Sequence, residues 1–277
     1  MTEAEAVERT KGMPATVQSL ADDLSALGVT PGMVLLVHSS LSSLGWVCGG
    51  AVAVVLALEK VLGPDGTLVM PAHSGDLSDP SKWRNPPVPE PWWEVIRKET
   101  PAYDVDMTPT RGVGAVPECF RKQKGTLRSA HPEVSFAARG PMAEELTRGD
   151  PLDFPSGDGA PLGRLYELDG WVLLLGTGSE CVSSLHLAEY RARYPGRKVV
   201  RCGAPVAVDG ERRWVEYDDV EGDDSVFPKI MAGFAEVKGN VRFGRVACGT
   251  SMLMSQRTLV DYAVGWLEGD HGRGHGD

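Results

Sequence analysis

The chain has 277 residues, 42% of them hydrophobic and 24% charged, with a formal net charge of −10. A chain of that length and composition can bury a sizeable core without disulfides or metals. The acidic balance argues against nucleic acid or an anionic membrane surface as partner, because phosphate recognition needs clustered Lys and Arg.

The opening stretch, Met1 to Lys11, is rich in Glu and lacks an apolar segment, so it does not read as a signal peptide. A helix is expected over Thr16–Leu27, stopped by Gly28. Met33–Val37 is a compact apolar run between Pro31-Gly32 and His38-Ser39, the pattern of a buried strand. Gly49-Gly50 introduce a helix over Ala51–Leu62, and Gly63-Pro64-Asp65-Gly66 end it. Thr67–Met70 is the next strand, stopped by Pro71. This strand–helix–strand order predicts an α/β layered fold. From Ser74 to Thr110 seven prolines and Trp83, Trp92 and Trp93 deny regular structure. Such a segment is expected either to pack on the core or to act as a lid. A helix over Gly114–Gln123 follows, then the most apolar strand, Trp171–Leu175, and a helix from about Ser179 to Arg193. Val206–Asp209 and Arg213–Tyr217 flank Asp209-Gly210 as a hairpin, and a last helix is expected over Gln256–Leu267. The expectation is one α/β domain over residues 1–267 with an irregular excursion at 74–110. Residues 268–277, polar and Gly-rich, read as a disordered tail.

The longest apolar stretch, Ala51–Leu58, is too short to span a bilayer. Cys48, Cys119, Cys181, Cys202 and Cys248 are scattered with no CxxC, so reduced thiols in a cytoplasm are expected. No H-E-x-x-H or close Cys/His cluster suggests a metal, and there is no G-x-S-x-G. Gly176-Thr177-Gly178 lacks the third glycine of a dinucleotide fingerprint, since Cys181 stands in its place.

Chemistry near neutral pH turns attention to the six histidines. His271 and His275 fall in the polar tail, where nothing orients them. His38 and His73 each follow a strand, at the end where open α/β sheets bind ligands. The segment His38 to Gly45 adds four serines, and the helix after Gly50 adds its positive end. His131 precedes Pro132, which holds its backbone extended. His186 lies on the helix after the strongest strand, with Glu189 three residues on and on the same face. A general base needs its second ring nitrogen held by an acceptor. Glu189 is one candidate, and the acidic run Asp218-Asp219-Val220-Glu221-Gly222-Asp223-Asp224 offers others. Spacing alone does not choose between them. Cys181 and Cys119 stay open as nucleophiles of a covalent route.

Several segments, taken in order, resemble the antibiotic (aminoglycoside 3-N-acetyltransferase) family. They are Leu35-Leu36-Val37-His38-Ser39-Ser40-Leu41, Gly63-Pro64-Asp65-Gly66-Thr67-Leu68, Arg128-Ser129-Ala130-His131-Pro132 with Ser135, Leu173-Leu174-Leu175-Gly176, Leu185-His186-Leu187-Ala188-Glu189, and Trp214-Val215 with an acidic pair beyond. The resemblance implies the family's own α/β/α layered fold with a mixed central sheet, distinct from the commoner acetyltransferase fold. It implies acetyl-CoA as cosubstrate and a small cationic amine as partner, the 3-amino group of an aminoglycoside antibiotic first among them. A non-antibiotic amine, or CoA binding without aminoglycoside activity, is the alternative. Neither nucleic acid nor membrane is implied as partner, and a homodimer is allowed.

The same resemblance makes His186 the catalytic base and Asp219 its partner, with Glu189 supporting the site or meeting substrate. It places His38, Ser39, Ser40, Leu44, Gly45, Arg111, Val113 and Ser135 along the CoA channel. Asp153, Asp158, Glu221 and Asp223 are the expected contacts for the acceptor's remaining ammonium groups.

Overall fold

In the computed structural model, which describes residues 3–269, a seven-stranded mixed sheet carries helices on both faces. Along the chain the elements are α1 (Glu3–Arg9), α2 (Val17–Leu27), β1 (Val34–Ser39), α3 (Gly50–Leu62), β2 (Thr67–Pro71), α4 (Trp93–Glu99) and α5 (Ala115–Arg121). Then come β3 (Leu127–Arg128), β4 (Phe136–Arg139), α6 (Ala143–Thr147), α7 (Pro161–Glu167), β5 (Trp171–Leu175) and α8 (Ser184–Arg191). The last are β6 (Val199–Val208), β7 (Glu211–Val220), α9 (Phe227–Glu236), β8 (Val241–Val246), β9 (Gly249–Ser255) and α10 (Gln256–Glu268). The sheet order is β3-β4-β2-β1-β5-β9-β8. β1 runs parallel to β2 on one side and to β5 on the other, while the outer pairings are antiparallel.

Strand pleating sorts the core into two layers, as alternation along an extended chain must. Leu35, Val37, Leu173 and Leu175 face the layer of α2, α3 and α5. Leu36, Val172 and Leu174 face α6 through α10. Val172 to Leu175 are at most 1% exposed, so each contributes on the order of 1.5–3 kcal/mol of apolar burial. This is the α/β/α layering with a mixed sheet that the family resemblance implies.

Caps explain several boundaries. Thr16 accepts the Ser19 N–H and Ser19 returns a bond to the Thr16 N–H, a capping box that starts α2. The expected helix from Ser179 divides into a 3-10 turn, Ser179–Cys181, and α8. The expected hairpin is real but longer, with ten residues in each strand and both turn residues, Asp209 and Gly210, at positive φ. It stands outside the main sheet. The Pro- and Trp-rich excursion packs against it: the Tyr103 N–H donates to Pro205 O, Lys82 donates to Arg201 O, and Arg212 caps carbonyls of Arg97 and Thr100. Tail residues 270–277 lie outside the described residues. Among the described residues no helix is long and apolar enough to cross a membrane.

Candidate active site

β1 is the strand from which the chain turns to β2 on one side and β5 on the other. Such a reversal point opens a crevice at the strands' carboxyl ends. A cleft of about 860 Å³ lies there, lined by His38 and Ser39 from the end of β1, Pro71 at the end of β2 with His73 just beyond, and Thr177 after β5. His186 of α8 and Phe227 of α9 close one side, and Trp46, Gly50 and Gly112 to Ala115 close the other.

His186 is held, not merely present. Its Nδ1 lies 2.7 Å from Glu189 Oε2, one helical turn on. The Glu189 side chain is 2% exposed and its other oxygen accepts the Asp223 N–H at 2.8 Å. With Nδ1–H donated to that carboxylate, the Nε2 lone pair is left for a substrate proton. The ring stands edge-on to Phe227 at 4.9 Å and keeps 35% of its side chain exposed toward the cleft. The backbone at Gly222 comes close enough that an added Cβ would meet His186 at 3.2 Å, so a residue without Cβ lets this segment brace the pair.

The expected partner, Asp219, does not bond His186. Its carboxylate accepts from the Tyr190 hydroxyl and from the Val220 N–H. The structure therefore corrects the pairing to Glu189. Half-buried, Asp219 has its proton affinity raised by burial, against the opposing effects of Tyr190, the Val220 N–H, His186 and Lys82.

His38 and His73 are a different kind of histidine. Burial, together with the charge His186 can carry, lowers the His38 pKa to about 4. Burial and the neighbouring His38, His186, His131 and Arg128 lower His73 to about 3. Both are neutral at pH 7. The Nε2 of each is buried with no hydrogen-bond partner. Such an unpaired group costs on the order of 1–3 kcal/mol. His131, by contrast, is fully used: Nδ1 accepts the N–H groups of Glu133 and Val134, and Nε2 meets Leu152 O at 3.3 Å.

The sequence matches the family model described as aminoglycoside 3-N-acetyltransferase over residues 36–268. The chain belongs to the aminoglycoside 3-N-acetyltransferase family. It is 46% identical over 92% of its length, and 93% of the relative's, to the SPbeta prophage-derived aminoglycoside N(3')-acetyltransferase-like protein YokD of Bacillus subtilis. The crystal structure of that protein superposes with a TM-score of 0.93 over 98% of this chain and 100% of the other, at 43% identity. Aminoglycoside N(3)-acetyltransferase VII of Streptomyces paromomycinus is 36% identical over 100% of this chain and 99% of its own. AAC-IIIb, solved as a binary complex with CoASH, aligns with a TM-score of 0.82 and 32% identity over 92% of this chain and 97% of that one.

Acetyl-CoA is the cosubstrate of this acetyltransferase family, and the cleft offers it a wall of small and hydroxylic groups. Of the residues expected along that channel, His38, Ser39, Ser40, Gly45 and Val113 do line the cleft. Ser39 Oγ is buried without a partner, and Ser40 Oγ lies 2.8 Å from Ser43 Oγ. Gly45 has φ 77° and an added Cβ would fall 2.6 Å from Thr10 Oγ1, so only glycine fits that turn. Three of the expected residues lie elsewhere. Leu44 is buried in the core layer of α2 and α3. Arg111 is half-exposed, its N–H on His73 O and its guanidinium 3.9 Å from Asp76. Ser135 is buried behind the wall, donating to Ala72 O and accepting from Arg128 Nε. It supports the turn that carries His73.

The four carboxylates expected to meet the acceptor have partners within the chain. Asp158 pairs with Arg191 and Glu221 with Lys198. Asp153 accepts the Asp218 N–H, and Asp223 accepts from Ser225. None of the four lines the cleft; the carboxylates that do are Glu180 and Asp224. Short-range spacing could not separate Asp224 from Asp223, because the turn between β7 and α9 decides which one faces inward. Cys181 also reaches the cleft, its sulfur 3.1 Å from Thr177 Oγ1.

Proposed function

We propose that this chain transfers acetyl from acetyl-CoA directly to a primary amine, the 3-amino group of an aminoglycoside, with His186 as general base. The observation that carries the reading is the imidazole fixed by the buried Glu189 carboxylate and open to a cleft at the sheet's reversal point. The pantetheine arm would run past Ser39, Ser40 and Gly45 on one wall and Val113 on the other, with the positive end of α3 beside it. Attack by the amine nitrogen on the thioester carbon forms the C–N bond as the nitrogen gives a proton to His186 Nε2. The tetrahedral oxyanion collapses, the C–S bond breaks, and the thiolate leaves as CoASH with the proton from the imidazolium. Glu189 keeps the ring in the productive tautomer and stabilises its cationic form. Glu180 and Asp224, the carboxylates on the cleft wall, supply negative charge for the acceptor's other ammonium groups. The reading places the reaction in the cytoplasm, in keeping with the five free cysteines.

The test is thiol release, followed with a disulfide reagent, from acetyl-CoA and a panel of aminoglycosides and simple polyamines. Release with an aminoglycoside, and a product acetylated at the 3-amino group, is the expected result. CoA binding with no release above background for any amine would overturn the reading.

A further inference from the structure

We infer that His38 is the hydrogen-bond donor to the acetyl carbonyl oxygen as it becomes the oxyanion, a role complementary to the base His186. This rests on the acetyl-transfer reading above. Strand parity sets the stage: Leu36 faces the layer containing α8, so His38, two residues on, projects to the same face, toward the helix that carries His186. In register His38 lies opposite Leu174 of β5, at the floor of the reversal-point cleft.

Its surroundings do not suit a structural histidine. His38 is 5% exposed, yet it lines the cleft and its Nε2 meets no protein partner. Buried polar groups are paired in folded proteins unless a ligand, water or strain accounts for the exception. His131 shows what a structural imidazole looks like in this chain, with both ring nitrogens engaged by backbone. His73, half-buried though likewise unpaired at Nε2, stands edge-on to Phe136 and holds Arg111 through its carbonyl, so packing and backbone account for its place.

His186 is near enough for its charge to act on His38, but Nδ1 of His186 bonds Glu189 and not His38. With His38 in the Nε2–H tautomer, a substrate group in this cleft meets a base in one imidazole and an N–H in the other. A neutral imidazole always carries one N–H. A fixed N–H in a site shielded from water is the kind of group that stabilises a developing oxyanion. No proton leaves His38 in this role: the negative charge forms on the carbonyl oxygen, is shared with the N–H, and returns to the C=O bond as the C–S bond breaks.

The test compares wild type, His38→Ala and His38→Gln with acetyl-CoA and with its dithioester analogue, in which sulfur replaces the carbonyl oxygen. With acetyl-CoA, His38→Ala should lose on the order of 10²–10³ in kcat, the scale of one oxyanion donor. Its KM for acetyl-CoA and its affinity for CoASH should stay within about threefold of wild type, since the interaction is made only in the transition state. His38→Gln, which keeps an N–H, should recover part of the loss. On the dithioester, a poor acceptor, the penalty for losing His38 should shrink at least about tenfold. An equal penalty with both donors, or a His38→Ala enzyme near wild type in kcat, overturns the inference. Should His38→Ala not fold, His38→Gln carries the same two-donor comparison. Absence of thiol release by the wild type would instead defeat the underlying reading.

Discussion

Where β1, β2 and β5 end, the cleft is floored by groups set in place by strand register: His38, Ser39 and His73, backed by apolar residues that are almost wholly buried. The hairpin β6–β7, by contrast, is tied by side-chain pairs to α8, to the turn between β3 and β4 and to the excursion before α5. Tyr190 donates to Asp219, Tyr217 to Glu133, and Lys82 lies 3.2 Å from Cys202 Sγ. The first region cannot change without moving the sheet. The second can exchange one side chain at a time. On the proposed function, acyl-transfer chemistry belongs to the rigid region and acceptor choice to the adjustable one, a division consistent with active sites built from loops on a fixed scaffold.

Glu189 lies where the two regions meet, and among the substitutions outside the two cleft imidazoles its replacement should have the greatest effect. Glu189→Gln should lower kcat on the order of 10–100-fold, as loss of an orienting carboxylate generally does, with little change in KM for acetyl-CoA. A KM effect without a kcat effect would place Glu189 in the binding wall instead. Asp224→Asn comes next. On the cleft wall Asp224 offers a polycationic acceptor a partly exposed ion pair worth roughly 1 kcal/mol, so KM for the acceptor should rise about fivefold with kcat unchanged. A fall in kcat with KM unchanged would contradict that role.

The smallest effect is on stability. Burial, with Asp219 nearby and the Tyr217 hydroxyl opposing, raises the Glu133 carboxyl to about 7. The native state therefore holds a proton between about pH 4.5 and 7 that the unfolded state has lost, and the fold gives up stability as pH rises through that window. Glu133→Gln, still able to accept from Tyr217, should melt higher than wild type at pH 8. The gap should close by pH 4.5, which thermal unfolding at the two pH values would show. His38, His73 and His131, lowered to about 4, 3 and 4, act in the opposite sense, costing stability as pH falls below 6.5.

Much of the scaffold was legible in the chain. Trp171–Leu175 needed only its apolar run, α2 its Gly28 stop, and the hairpin turn its Asp209-Gly210 pair. β8 and β9 were not legible. Edge strand β8 carries Arg242 and Arg245, and its turn to β9 passes through Ala247 at φ 50° with no Asn or Gly to announce it. Within the site, helical spacing put Glu189 beside His186, while the resemblance favoured Asp219. What decides between them is the Tyr190 hydroxyl, which occupies Asp219 from 29 residues away. No spacing rule reveals that, nor that His38 would be buried without a partner.

The most direct test is steady-state transfer by His186→Ala with CoASH affinity measured alongside. The account predicts a fall in kcat of roughly 10²–10⁴, the scale of a lost general base, with CoASH binding unchanged. Turnover within a few-fold of wild type would contradict it.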